Sequence, residues 1–455
     1  MTVRFDESLS TLVDFVVAEL GDEAVAKSVF VRDAVGLLSV AIDLELSDER
    51  LAELELAVSK SLGGYARTEN PVRDKSGPGV KKLFEAGKRR PNIVVEGRSI
   101  SFVDRRLVGA DWLLPPQSAD GVPRIVFTSL KGGVGRSTAL AVLAAHMSSR
   151  GQRVLAIDLD LEAPGIGTML IQPNALPKYG TLDYLVENGI SGIDREFVTQ
   201  MIGKSFLGST GAQVSVLPAI GRATIENPRG ALSKISRAYL EDVSSSGEVS
   251  SQTNQIREMV DRFSATGDYD LILIDGRAGL HETNAAVLLG LGAEILFFGI
   301  DEPQTFLGYS LLFSHLADFR GAAYDEWRSR VQFVQAKCSA DPAVQRESAV
   351  RFSDLFDVLH PPGGHSGRGD ALATESLTAD DFDLEWAEDD ALDMDEVLYE
   401  EAAVIKILDD QRYQGFNPIA QRSLLTPDLF GTTFRDLLNW AESLLPALQV
   451  DVDDN

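Results

Sequence analysis

Cysteine is almost missing from this sequence: Cys338 stands alone among 455 residues. A single thiol excludes an internal disulfide framework and any cysteine-built zinc or iron–sulfur centre within one chain. No apolar run approaches the roughly 20 residues that a membrane-crossing helix requires. The opening, MTVRFDESLSTLVDF, lacks the basic start, apolar middle and small-residue cleavage site of a secretion signal. Together these absences predict a cytoplasmic location. The five histidines show no metal-ligand spacing, so His281 and the others are expected to be structural or exposed. Positive charge is scarce too, with 42 Lys and Arg against 69 Asp and Glu and a net charge of −27. That balance excludes a chain coated in nucleic acid, because such binding sets many cations against phosphates.

What remains is an ordinary globular composition, 44% hydrophobic and 24% charged, long enough for two or three domains. Its charge is uneven. Residues 67–106 hold eleven basic side chains against five acidic ones, making this the one stretch suited to nucleic acid. Residues 380–401 carry twelve Asp or Glu, and no Lys or Arg lies between Arg368 and Lys406. Solvated faces explain both runs, and so do complementary partner surfaces.

The pattern along the chain predicts an α/β fold, a mostly parallel sheet flanked by helices, preceded by a small N-terminal α+β domain at 1–115. In that domain LSTLVDFVVAEL and SDERLAELELAVSKSLG read as helices, and NIVVEG and RSISFVDRR as strands. A linker is expected at 116–123, within the Pro/Gly/Ser-rich LLPPQSADGVPR. From 124 to 340 apolar strands (RIVFTS, RVLAIDLD, QVSVLPAIG, YDLILIDG, AEILFFGI, VQFVQAK) alternate with helices near 137–150, 253–264, 280–290 and 304–319. Residues 341–401 are expected to be an acidic, partly mobile insertion. Residues 402–455 should complete the domain as a helical segment, with Phe434, Leu437, Leu438, Ala441, Leu444 and Leu445 on one face.

The chemistry concentrates in SLKGGVGRST, residues 129–138, between the strand RIVFT and the helix ALAVLAAHM. Gly132, Gly133 and Gly135 let backbone amides, with that of Val134, curl around phosphate oxygens, and the helix points its positive end at the same anion. Ser137 is placed to ligate Mg²⁺ and Thr138 to touch another phosphate. Against G-x-x-x-x-G-K-S/T, Leu130 replaces the first glycine and Arg136 the lysine, while Lys131 supplies an early cation.

This loop resembles the deviant Walker A of the ParA/MinD branch of P-loop ATPases, in its arginine-bearing KGGVGR form. The resemblance continues in VLAIDLDLEAPG and DYDLILIDGRAGLHETNAAVL and covers about 123–340. It implies ATP and Mg²⁺ as cofactors, with no N-K-x-D signature for guanine. It implies catalytic roles for Lys131, Arg136 and Asp160, the last orienting water. It also implies a metal set of Ser137, Asp158 and Asp275, and a nucleotide-sandwich homodimer with Lys131 reaching the partner's phosphates. Arg277 reads equally as a phosphate contact or a salt-bridge partner, and Glu162 as a polar loop residue. Arginine is a planar fork, poorer than lysine at following moving charge, so slow hydrolysis is expected. The function implied is a switch that recruits a protein partner through the N-terminal domain or the insertion, in bacterial signalling or defence. The alternative is a nucleotide-stabilised scaffold with negligible hydrolysis. An acidic end, LQVDVDDN, does not suit a membrane-targeting helix.

Overall fold

The computed structural model describes residues 3–90, 92–106, 109–118, 120–190, 192–209, 211–243, 249–360 and 404–444. The N-terminal part holds strands β1 (Ser28–Arg32), β2 (Leu38–Ile42), β3 (Val72–Arg73), β4 (Ile93–Val95) and β5 (Arg98–Asp104). They form one mixed sheet in the order β3-β2-β1-β5-β4. Helices Phe5–Leu20 and Asp48–Leu62 cover one face through Leu12, Val16, Leu54 and Val58. Ser47 caps the second of these by accepting from the Arg50 amide, as its placement before the apolar periodicity predicts. On the opposite face, the helix Val80–Lys88 packs Val80 and Leu83 against Val29, Val31 and Val103.

Strands β6 (Arg124–Ser129), β7 (Val154–Asp158), β8 (Gly203–Ser209) and β9 (Ala212–Leu217) open the larger part; a two-residue ladder follows, β10 (Asp242–Val243) with β11 (Val249–Ser250). Then come β12 (Leu271–Ala278), β13 (Glu294–Gly299), β14 (Val331–Cys338) and β15 (Ile405–Leu408). The large sheet runs β15-β14-β13-β6-β12-β7-β9-β8, and all its pairings are parallel except β8 with β9. The predicted α/β architecture is therefore present. β6 and β7 are buried along their whole length and β12 through Gly276, with Val126 and Ile274 facing one core and Ile125, Phe127 and Leu273 the other. Continuous apolar runs are what a sheet covered on both faces requires.

Three readings need correction. Residues 342–359, read as the start of an insertion, form the helix Pro342–Leu359, whose Phe352, Leu355 and Leu359 are buried in the core. The rest of the acidic stretch, 361–403, lies outside the described residues, as do 445–455. The segment beyond 402 is not purely helical: β15 adds an edge strand before the helix Arg435–Ser443. Finally, Asp111 and Trp112 precede the expected linker, yet both are anchored in the larger part. Asp111 accepts from the Thr253 amide and hydroxyl at 2.9 and 2.7 Å, and Trp112 packs into its core.

Candidate nucleotide site

The loop between β6 and the helix Arg136–Ser149 is shaped by glycine. Gly133 and Gly135 have φ of 77° and 96°, a region that side chains disfavour. At Gly132, Gly133 and Gly135 an added Cβ would meet nothing within 4 Å, so the loop encloses an open cradle. Val134, 3% exposed, pins the loop to the core beneath. No side chain caps the helix that starts at Arg136, which leaves its first amides available to an anion. Ser129 steadies the entry by donating to the Lys131 carbonyl at 2.8 Å.

The cradle opens into a cleft of about 620 Å³, lined on one side by residues 133–138, including Thr138. Sequence reasoning missed the far wall, which is built by Lys337 at the end of β14 and by the segment after β15. There Asp410 accepts from the Arg412 guanidinium at 2.6 Å and from the Thr433 hydroxyl at 2.7 Å. The guanidinium is the main reason the Asp410 carboxyl is held well below the usual carboxylate range. Tyr413 packs edge-on against Phe416 and Phe434, giving the wall aromatic surface. The signal available was the turn-rich QGFNP.

Behind the loop lies a cluster of carboxylates. Asp158 and Asp275 are register partners on β7 and β12, exposed by only 0% and 1%. Both carboxyls are pushed up, chiefly by burial; the charge of Asp275 adds to the shift of Asp158, while Arg136 and Ser137 oppose that of Asp275. Asp158 accepts three backbone amides, from Asp160, Gly165 and Ile166, at 3.0 to 3.1 Å, which folds the following loop back over the strand. Asp275 accepts from the Ser137 hydroxyl at 2.6 Å through one oxygen, while its other oxygen is buried with no hydrogen-bond partner.

The structure brings Arg136 into this cluster. Its guanidinium donates to the Gly276 carbonyl at 2.6 Å, reaches Asp160 at 3.5 Å and lies 3.9 Å from Asp275. Asp160 also accepts from the Ala163 amide at 3.1 Å. Lys131 stands apart, paired with Glu302 at 2.7 Å, both side chains 42% exposed. Arg277 takes the salt-bridge role: it grips Glu162 at 2.9 and 2.6 Å, and Tyr239 donates to the same carboxylate. His281 is structural, accepting from the Thr283 amide at the start of the helix Glu282–Leu289.

The residues fit a magnesium-bound polyphosphate. An open amide cradle suits the phosphates, and the hydroxyl of Ser137 beside the unpaired oxygen of Asp275 is an all-oxygen donor set suited to a hard cation. Asp158, with three amides already bonded, is better described as shaping the loop than as a direct ligand. Among the described residues no group of three or more His, Cys, Asp or Glu side chains forms a metal cage, so phosphate oxygens and water would complete the coordination.

Residues 123–290 match the family model described as an AAA domain. No curated protein matches the sequence. Among solved structures, a ParA family ATPase from Chlorobium tepidum TLS aligns over 70% of this chain and 98% of its own, at 16% identity and a TM-score of 0.43. The MinD cell division protein of Aquifex aeolicus aligns over 71% and 97%, at 16% identity and 0.42. The cell division ATPase MinD of Pyrococcus furiosus aligns over 71% and 99%, at 17% and 0.41. Residues 123–290, with the glycine loop after the first central strand, Asp275 on the adjacent β12 and Asp158 on β7 one strand further, are thus similar to an AAA domain.

Proposed function

We propose that this chain is a cytoplasmic, ATP- and Mg²⁺-dependent switch of the KGGVGR kind. It closes as a homodimer around nucleotide, hydrolyses ATP slowly and offers its N-terminal part to a partner in bacterial signalling or defence. The observation that carries this reading is the open cradle of Gly132–Gly135 set directly against Ser137 and the half-satisfied Asp275. A buried carboxylate oxygen without a partner is costly, and a cation brought in with the phosphates removes that cost. Mg²⁺ supplies charge neutralisation at the phosphates. Ser137 and Asp275 would hold it, the loop amides would orient the polyphosphate, and Asp160 would direct a water once released from Arg136. A ligand that ties the loops bearing Asp160 and Asp275 to one phosphate favours the closed arrangement by its differential contacts.

One observation favours the second reading, a nucleotide-stabilised scaffold with negligible hydrolysis. Arg136 already spends its guanidinium on Gly276 and Asp160, which leaves it less able to follow charge moving between phosphates. The two readings separate in one set of measurements: calorimetry with ATP and Mg²⁺, molecular mass with ATP, with ADP and without nucleotide, and single-turnover hydrolysis. ATP binding with ATP-dependent dimers and slow turnover supports the switch. A constant oligomeric state without turnover supports the scaffold. Absence of binding to any triphosphate refutes both.

A further inference from the structure

The N-terminal sheet carries a band of cations that the nucleotide site does not use. Arg73 is a register partner of Ala41, and Ala41 belongs to the small core under the helix Val80–Lys88. Arg105 follows Val103, another member of that core, by two extended residues. Both therefore emerge on the helix-bearing face. Arg67 is tied to the sheet by its amide bond to the Leu38 carbonyl, and Arg73, whose pKa is lowered first by burial and then by the charges of Arg67 and Arg105, lies near both. The helix itself adds Lys81, Lys82 and Lys88 on its solvent side, since Val80, Leu83 and Gly87 are the residues it buries.

Among the described residues none of these six cations has a carboxylate within 4 Å. Acids are near: Glu85 shares the helix, Asp74 bonds Ser76, and Asp104 pairs with Arg106. Among the described residues the six are without an ion-pair partner, in a chain of net charge −27. Lys81 and Lys82 also sit in the first turn of their helix, where the dipole disfavours cations. An anion over this face would offset that helix-end repulsion.

At the other end of the helix the band runs into a cleft of about 550 Å³ that no acidic residue lines. Phe84, Arg90, Ser99, Ser101 and, from across the cleft, Arg320 face it. Arg90 is held there by its bond to the Asp104 carbonyl at 2.6 Å. An extended track of cations beside a pocket with one aromatic ring, hydroxyls and further cations matches a phosphodiester strand with an unstacked base. A lone phosphate needs no such length, because a nine-residue helix alone spans about 13 Å. We propose that this face binds single-stranded nucleic acid, independently of the nucleotide cleft.

The test is fluorescence anisotropy of a labelled 20-nucleotide single strand with the full chain. At least four phosphate contacts predict a loss of about 50-fold in affinity between 50 and 200 mM salt. The exposed triple variant Lys81→Glu, Lys82→Glu, Lys88→Glu is expected to weaken the strand at least about tenfold while ATP binding by calorimetry stays unchanged. Retained binding in that variant, no binding by the parent chain at 50 mM salt, equal affinity for a poly-glutamate peptide, or tighter binding of duplex of the same length would each overturn the proposal. Loss of ATP binding in the parent chain would count against the nucleotide switch alone.

Discussion

Arg136 and Gly276 are joined across the site by a hydrogen bond of 2.6 Å, from the guanidinium to the main-chain carbonyl. The bond ties the start of the phosphate-loop helix to β12, in a pocket where Arg136 is only 9% exposed. Arginine at this position therefore has a structural task whatever its part with nucleotide.

Replacing Arg136 should separate those tasks. Arg136→Ala leaves Asp160, the Gly276 carbonyl and the already half-satisfied Asp275 without their cation, and is expected to cost about 3–5 kcal/mol. Arg136→Lys keeps the charge but not the fork, and a loss of about 1–3 kcal/mol is expected by denaturant unfolding. The same lysine variant should raise single-turnover hydrolysis at least about tenfold if the arginine limits transition-state contact. Lower stability with faster turnover is the combined signature.

Gly135 tests the cradle. Its φ of 96° makes any side chain strained, and its neighbourhood is open, so no clash with protein complicates the outcome. Gly135→Val should cost roughly 1–2 kcal/mol in stability. The strained turn would no longer present its amides to phosphate, so calorimetric ATP binding should fall below detection while the chain stays folded by circular dichroism.

The centre of this site was legible because each part carries its own local signal. The run RIVFTSLKGGVGRST moves from strand to glycine turn to hydroxyl pair without interruption, and Asp158 and Asp275 each end an apolar strand. The far wall was not legible. β15 is four residues long and pairs with β14 across some seventy residues of chain, so nothing adjacent to Ile405–Leu408 announces it. Phe352, Leu355 and Leu359 do repeat at helical spacing, but the polar residues around them and the acids beyond drew the reading toward an insertion. The target of Arg136 was invisible for another reason: a main-chain carbonyl has no letter in the sequence.

Asp410 gives the far wall a pH signature. Its carboxyl is held below the ordinary range near 3.9, first by Arg412 and further by Thr433. The ionised form thus favours the folded state, by an amount fully present above the unfolded value and lost as pH falls through the folded one. Asp410→Asn should therefore be less stable than the parent chain at pH 6 to 7. The gap in urea midpoint between the two should narrow steadily below about pH 4. A gap that is constant across this range would mean that the pair with Arg412 contributes nothing.

Lys131 and Glu302 form an ion pair at 2.7 Å with both side chains 42% exposed. A pair so open to solvent is worth about 0–1 kcal/mol, so Glu302→Ala should leave the unfolding midpoint nearly unchanged. Its consequence for assembly is different. If Lys131 serves the partner's phosphates in a nucleotide-bound dimer, the pair with Glu302 competes with that use, and breaking it releases the lysine. A competing interaction of up to about 1 kcal/mol in each subunit, lost twice in a symmetric dimer, shifts the dimer equilibrium by up to about 30-fold, so Glu302→Ala should dimerise more tightly with ATP in sedimentation experiments. Lys131→Ala should abolish ATP-dependent dimers and leave ATP binding by the monomer largely intact. A weaker dimer in Glu302→Ala would place the ion pair inside the closed state, with Glu302 orienting the lysine instead of restraining it.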